Sequence, residues 1–351
     1  MAMKMQPTLR YGEDLALTTI YPRLRYMGSK YKVIPHLERV FSSLDFDTAL
    51  DAFSGSGVVG FALKELGKQV TTNDFLNFPA TIAKATVANP GKQLSANDLA
   101  LLLSPNEDGR AFIQQTFEGL YFSLEDHKFL DAVWSHLHRL PDYKRELAIA
   151  SLCLAAARKQ PRGVFTITDV RYDDGRKNMH MSLKEGFFKA VADYNAVVFD
   201  NGRINSSQCA DVFSVDPKSF DLVYLDPPYA PPKDDADYIK RYHFLEGLSV
   251  YWDGLEIMEN TKTKKIVKRY TPFAYKNAIR DALRCLFDHF RNSIIVLSYS
   301  SNSVPDKDEI YGLLKEVKAS VEIITIPHLY SFGTHSSAER RQAEEYIFVA
   351  R

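Results

Sequence analysis

Long apolar runs are missing from this 351-residue chain. No stretch approaches the roughly 18 apolar residues that would cross a bilayer as a helix, so no membrane span is expected. The opening residues, MAMKMQPTLRYGEDLAL, lack the apolar centre of a secretory signal, and a cytoplasmic location is the expectation. Cysteine is scarce. Cys153, Cys209 and Cys285 are far apart, none forms a CxxC pair, and their number is odd. That argues against a disulfide framework and fits reduced thiols. The nine histidines show no ligand spacing beside a cysteine. His136 and His138 are two apart in an expected helix, which puts them on different faces, so no metal site is expected. An excess of charge is absent as well: 44 basic residues face 44 acidic ones, so net charge alone gives no reason to expect a polyanion. There is no internal repeat and no low-complexity tract.

Charge is nevertheless uneven along the chain. Arg158 to Lys189 holds eight Lys/Arg against four Asp/Glu, and Thr261 to Arg291 holds nine against two. Two basic surfaces on a neutral protein can neutralise phosphates.

The first clear strand lies near Thr48 to Phe53 (TALDAF), followed by the turn SGSG and a helical run, VVGFALKEL. Val58, Phe61, Ala62 and Leu66 have helical spacing, and Gly67 stops the helix. A second strand, QVTTND, ends at Asp74. This order of strand, glycine turn, helix, strand and acid is that of a nucleotide-binding α/β fold. From about Ala96 to Tyr194 helical patterns dominate: NDLALLLS, AFIQQTFEGLYF, SLEDHKFLDAVWSHLHRL and YKRELAIASLCLAAARK. Ser123 followed by Asp126 marks a helix start. Asp174-Gly175 is a two-residue turn signal with alternation on both sides, so a basic β-hairpin is expected there. Strand character returns in FDLVYLD, SIIVLSYS, VEIITI and EEYIFVA, the last two placed to form an antiparallel edge. The expected architecture is α/β: a Rossmann-like doubly wound sheet with an inserted, mainly helical domain carrying a β-hairpin. Residues 21–95 and 195–351 would form the first part, and 96–194 the insert.

Three sites stand out. In DAFSGSG, Asp51 ends a strand, and Gly55 and Gly57 let the backbone approach a ligand closely. Gly60 gives GSGVVG the GxGxxG spacing, which dinucleotide enzymes and methyltransferases share, but bulky Val58 and Val59 fill the positions before it and weigh against a nicotinamide or flavin dinucleotide. Asp74 lies 23 residues after Asp51, where a carboxylate can accept ribose hydroxyls. In DLVYLDPPY, a strand stops at Asp226, and Pro227 and Pro228 stiffen the next two peptides and lack N–H groups. The Asp226 carboxylate and the Pro227 carbonyl are two acceptors suited to the two N–H groups of an exocyclic amine. Tyr229 offers an aromatic face for a planar base.

DPPY, preceded by RYMGSK at Arg25 to Lys30 and by the FxGxG turn at Phe53 to Gly57, resembles the Dam-like, alpha-group DNA adenine-N6 methyltransferases. Within them it is most similar to the restriction-associated subgroup whose first motif reads RYxGSK, and the resemblance spans roughly Tyr21 to Arg351. It implies S-adenosylmethionine as cofactor, double-stranded DNA as partner, base flipping and direct transfer of the methyl group. It also raises a cognate restriction endonuclease as a partner; asymmetric targets are compatible with a monomer. By resemblance, Tyr26, Gly28 and Lys30 lie near the methionine part of the cofactor, with Lys30 facing its carboxylate. Phe53, Gly55, Ser56 and Gly57 line the turn, Asp74 holds the ribose, and Asp211 binds the adenine amine, with Val212 or Phe213 on the ring. Asp226, Pro227, Pro228 and Tyr229 hold the target; relatives that methylate cytosine usually carry Ser at the first position, so Asp226 favours adenine.

The basic segments then become DNA-binding candidates. Arg162, Arg171, Tyr172, Arg176, Lys177 and Asn178 belong to the expected hairpin region, whose ribbon would fit a major groove. Lys264, Lys265, Lys268 and Arg269 would grip phosphates. Two other readings share the motifs: an RNA adenine methyltransferase, and a non-catalytic DNA-binding regulator on the same fold.

Overall fold

A computed structural model describes residues 20–166, 175–228, 238–331 and 340–351; the side chains of residues 162, 328–331 and 340–343 lie outside the description. Tyr229, Arg171 and Tyr172 therefore fall outside the described residues, as does the side chain of Arg162.

Seven strands form one sheet in the order β3-β2-β1-β4-β5-β7-β6. The strands are β1 (Thr48–Asp51), β2 (Gln69–Asp74), β3 (Ser206–Cys209), β4 (Leu222–Leu225), β5 (Ile294–Ser300), β6 (Val321–Ser331) and β7 (Arg340–Ala350). The first five run parallel to one another. β7 is antiparallel to both β5 and β6, as the two terminal strand patterns lead one to expect. β1 and β4 are short and apolar because helices cover both faces, so alternation gives way to continuous burial. The chain leaves β1 in one direction and returns on its other side at β4. The crevice beyond the carboxyl ends of these two strands is where such sheets bind ligands.

The helices are α1 (Ile34–Ser42), α2 (Val58–Glu65), α3 (Asn77–Thr86), α4 (Ala96–Leu102), α5 (Phe112–Thr116), α6 (Leu124–His136), α7 (Lys144–Lys159), α8 (Lys177–His180), α9 (Leu183–Asn195), α10 (Tyr238–Val250), α11 (Ile279–His289) and α12 (Lys307–Lys315). Serine capping boxes start two helices of the helical segment, at Ser95 with Asp98 and at Ser182 with Glu185. Ser123 caps α6 as expected, its hydroxyl accepting from the Asp126 N–H. One core is continuous from the sheet into these helices and includes Phe61, Leu154, Phe187 and Tyr224. A second core, with Leu50, Val223, Leu286 and Phe348, fills the other face. No helix among the described residues is long and apolar enough to cross a membrane.

The expected hairpin needs correction. Its second arm is not a strand: Lys177–His180 is one helical turn, and α9 follows within a few residues. The Asp-Gly turn signal is a local preference. The Ser182 cap, which fixes the start of α9, dominates the chain's path after Gly175.

Candidate active site

Strand register gathers the acids. Asp51 is level with Thr72 on β2 and Tyr224 on β4, so Asp74 and Asp226 each lie two residues further towards the carboxyl edge. Between them runs the glycine turn. Gly55 and Gly57 have φ of 48° and 80°, the left-handed region that other residues adopt at a cost. A Cβ at Gly55 would stand 2.9 Å from the Tyr26 ring, and one at Gly57 would stand 2.6 Å from the Tyr21 hydroxyl. Tyr21 fills the space beneath the turn, its hydroxyl donating to the Ser56 carbonyl (3.1 Å).

Asp74 holds the turn from the other side. Its Oδ2 accepts the Gly55 N–H (2.8 Å) and its Oδ1 the Leu76 N–H (3.0 Å). Burial raises its pKa to about 6 against these bonds. Asp51 sits deeper. Its Oδ2 accepts the Gly60 N–H at the start of α2 (2.9 Å), and burial pushes its pKa up to about 8.

The RYMGSK segment docks on α10. Tyr26 stacks on Tyr242 with centroids 5.0 Å apart, and the Met27 N–H donates to the Tyr242 hydroxyl (2.7 Å). This brings Lys30, only 3% exposed, to Asp226. The ammonium lies 2.8 Å from Asp226 Oδ1, 2.8 Å from the Gly28 carbonyl and 4.0 Å from Glu345 Oε1 on β7. Burial alone would lower the Lys30 pKa, but Asp226 and Glu345 hold it well above the ordinary value. At Asp226 burial outweighs the attraction of Lys30, and its pKa rises to about 6. Asp226, Lys30 and Glu345 thus form a buried chain of two carboxylates on one ammonium. The carboxylate nearest Lys30 among the described residues is that of Asp226, the residue expected to hold the target amine.

These elements enclose a cleft of about 900 Å³, open mouth included. Of the expected residues, Tyr26, Gly28, Lys30, Asp51, Phe53, Gly55, Ser56, Asp74, Asp226 and Pro228 line it. Pro227, between the lining residues Asp226 and Pro228, is buried. Gly57 shapes the turn without reaching the cleft, and Asp211 and Val212 do not line it either. Asp211 is exposed and accepts the Phe213 N–H (3.0 Å), capping a short turn, while Val212 packs in the second core.

Lys268 and Arg269, expected on phosphates, are among the residues that line the cleft. Arg269 donates to the Phe75 carbonyl (2.6 Å) and pairs with the fully buried Glu246 (3.2 Å). Lys264 pairs with Glu259 (2.8 Å). Arg176 donates to the Arg158 and Gln160 carbonyls (both 3.0 Å), which ties down the basic segment. Lys177 and Asn178 begin α8. Sequence reasoning missed Phe75, Leu76, Tyr238 and Glu345. The first two directly follow Asp74, and that adjacency was the available signal.

Three buried polar atoms of residues that line the cleft, Asp51 Oδ1 and the hydroxyls of Ser29 and Ser54, have no hydrogen-bond partner. Buried polar atoms of this kind call for a ligand or water. Gly55→Val should therefore weaken cofactor binding at least tenfold, from strain of about 1–3 kcal/mol and collision with Tyr26. Titration calorimetry with S-adenosylmethionine checks this, and unchanged affinity would contradict it.

A doubly wound sheet whose seventh strand runs antiparallel, with a glycine turn and an acid-proline-proline loop at one switch point, has the Rossmann-like architecture of a methyltransferase. The comparison with known families is specific: a family model for D12 class N6 adenine-specific DNA methyltransferases matches residues 26–313, and the chain belongs to that family. It is an adenine-specific DNA methyltransferase. Among curated proteins, the type II methyltransferase M2.HphI of Haemophilus parahaemolyticus is 28% identical over 335 residues, covering 88% of this chain and 92% of its own. The type II methyltransferase M.FokI of Planomicrobium okeanokoites is 25% identical over 93% of this chain. The modification methylase StsI of Streptococcus sanguinis is 24% identical over the same share. The chain spans about half the length of these last two, 52% and 51%.

Proposed function

We propose that this enzyme uses S-adenosylmethionine to methylate the N6 amine of an adenine flipped out of duplex DNA, as a member of the Dam-like group with an RYxGSK first motif. The observation that carries the reading is Asp226, held by Lys30 in the wall of the same cleft as the glycine turn.

Tyr26, Gly28, the 53–57 turn and Asp74 would hold the cofactor, with Asp51, Ser29 and Ser54 offering polar atoms to it. When bound, S-adenosylmethionine supplies an electrophilic methyl group on a sulfonium. The adenine amine is a poor nucleophile because its lone pair is delocalised into the ring. The Asp226 carboxylate and the Pro227 carbonyl accept its two N–H groups and draw the nitrogen towards tetrahedral geometry. The lone pair is thereby localised, and the carboxylate offsets positive charge that develops on nitrogen. Orientation of this kind contributes up to roughly 7–11 kcal/mol in well-aligned systems. Tyr229 supplies a face for the base, and flipping costs a few kcal/mol.

Residues 96–194, with Arg162, Arg171, Tyr172, Arg176, Lys177 and Asn178, form the target-recognition part. Lys264, Lys265 and Lys268 lie along the DNA. Relatives named as type II methyltransferases and a modification methylase support a role in restriction-modification, with a cognate endonuclease as the partner activity.

Labelled S-adenosylmethionine incubated with unmethylated genomic DNA and with total RNA tests the reading. N6-methyladenine at one recurring short DNA site is the expected product, and label confined to RNA would refute it. The acid limb of kcat/KM should have its midpoint near pH 6, because only ionised Asp226 accepts both the amine and Lys30. A profile flat from pH 5 to 8 would contradict that assignment.

A further inference from the structure

The segment between α10 and α11 carries an aromatic pair that methyl transfer does not use. Tyr270 is 66% exposed, yet its two sequence neighbours, Arg269 and Thr271, both line the cleft. Its ring stacks on Tyr275, with centroids 5.4 Å apart and planes 18° from parallel. The Lys268 ammonium lies 4.7 Å from the centre of the Tyr275 ring.

The loop is anchored on both sides of Tyr270. Arg269 is fixed to Glu246 and the Phe75 carbonyl, with its guanidinium 4.4 Å from the Phe75 ring centre. Phe273 is buried against Phe53, with centroids 5.3 Å apart. A rigid loop thus presents an aromatic ring to solvent at the cleft mouth. The ring is backed by a second aromatic and lies in the most basic stretch of the chain. Ring faces with adjacent cations are what unstacked bases bind, because every base has a π-face and its phosphate a charge. Thr261 to Arg291 holds nine Lys/Arg against two Asp/Glu, and although Lys264, Arg269, Arg280, Arg284 and Arg291 pair with carboxylates, the Lys268 ammonium beside the aromatic pair favours a nucleic acid over a basic protein surface.

We propose that Tyr270, supported by Tyr275 and Lys268, is a base-stacking residue of the DNA interface. It covers the base beside the target adenine once that adenine has left the duplex. The inference rests on the reading of the cleft as the adenine and methyl-donor site, and adds a residue that stabilises the flipped state. Its contribution should shrink when flipping is made easier, since an unpaired base costs less to extrude.

The test compares wild type, Tyr270→Ala and Tyr270→Phe on two duplexes carrying the mapped target site. One is fully paired, and the other has an abasic position opposite the target adenine. On the paired duplex, Tyr270→Ala should lose roughly ten- to a hundredfold in kcat/KM, while Tyr270→Phe keeps most of it. On the abasic duplex the loss should shrink to a few-fold, with S-adenosylmethionine affinity unchanged throughout. Wild-type rates for Tyr270→Ala on paired DNA would overturn the proposal, as would an equal loss on both duplexes. Weakened cofactor binding in Tyr270→Ala would also overturn it, since the ring would then be holding the cleft wall. A wild-type enzyme inactive on every DNA would overturn the function itself, and this role with it.

Discussion

Asp226→Asn should abolish most methyl transfer, by about 10²- to 10⁴-fold in kcat, and leave the protein folded. The amide oxygen can still accept one N–H, but it carries no charge to offset the one developing on the amine. The fold should survive because of what lies behind Asp226. Its ammonium partner, Lys30, also faces Glu345 at 4.0 Å, so removal of one carboxylate leaves a neutral buried pair. Single-turnover rates measure the chemical step directly, and thermal unfolding measures the fold. A variant that transfers methyl groups at a tenth of the wild-type rate or faster would remove Asp226 from the chemistry. A variant that unfolds would show that Glu345 does not hold the ammonium.

Lys30→Met should behave in the opposite way, with stability failing first. Two buried carboxylates would then share no cation, and an uncompensated buried charge costs about 3–5 kcal/mol. The loss should depend on pH with a definite sign. In the wild type, burial already raises Asp226 from 3.8 to about 6. Its contribution to stability is therefore greatest below pH 4 and declines as pH rises through about 6. Without Lys30 that pKa rises further, so the decline continues into the neutral range. Denaturant unfolding at pH 5 and pH 8 should show a wider gap from wild type at pH 8. An equal deficit at both values would mean that Lys30 matters for packing and not for charge.

The parts of the molecule legible in the sequence were those with local signals. β1, β4 and β5 lie in apolar runs ended by turns, β2 is placed by its position between the α2 helix stop and Asp74, and Gly55 announces a close approach that Tyr26 then makes. β3 escaped because Ser206–Cys209 contains no large apolar residue and is mostly exposed. The partner of Lys30 escaped for another reason. Residues 30, 226 and 345 meet only through the docking of Tyr26 on α10 and the register of β7 against β5, neither of which is a local property. Asp211, expected on the cofactor from its motif position, also caps its own turn, a local role that the motif does not announce. Arg269, expected on phosphates from its charge, also pairs with the buried Glu246, a contact with no local signal.

The position of β7 bears on how the enzyme is made. It is the last of the seven strands in sequence, yet it lies between β5 and β6. While the chain is synthesised from its N-terminus, β5 and β6 must wait with open edges, which invite pairing with other chains. Lys30 meanwhile lacks Glu345. A nascent chain could therefore hold the glycine turn and the acid-proline-proline loop and still have an unfinished catalytic wall. Premature termination before β7 should yield aggregates, and not a truncated enzyme that marks DNA without control.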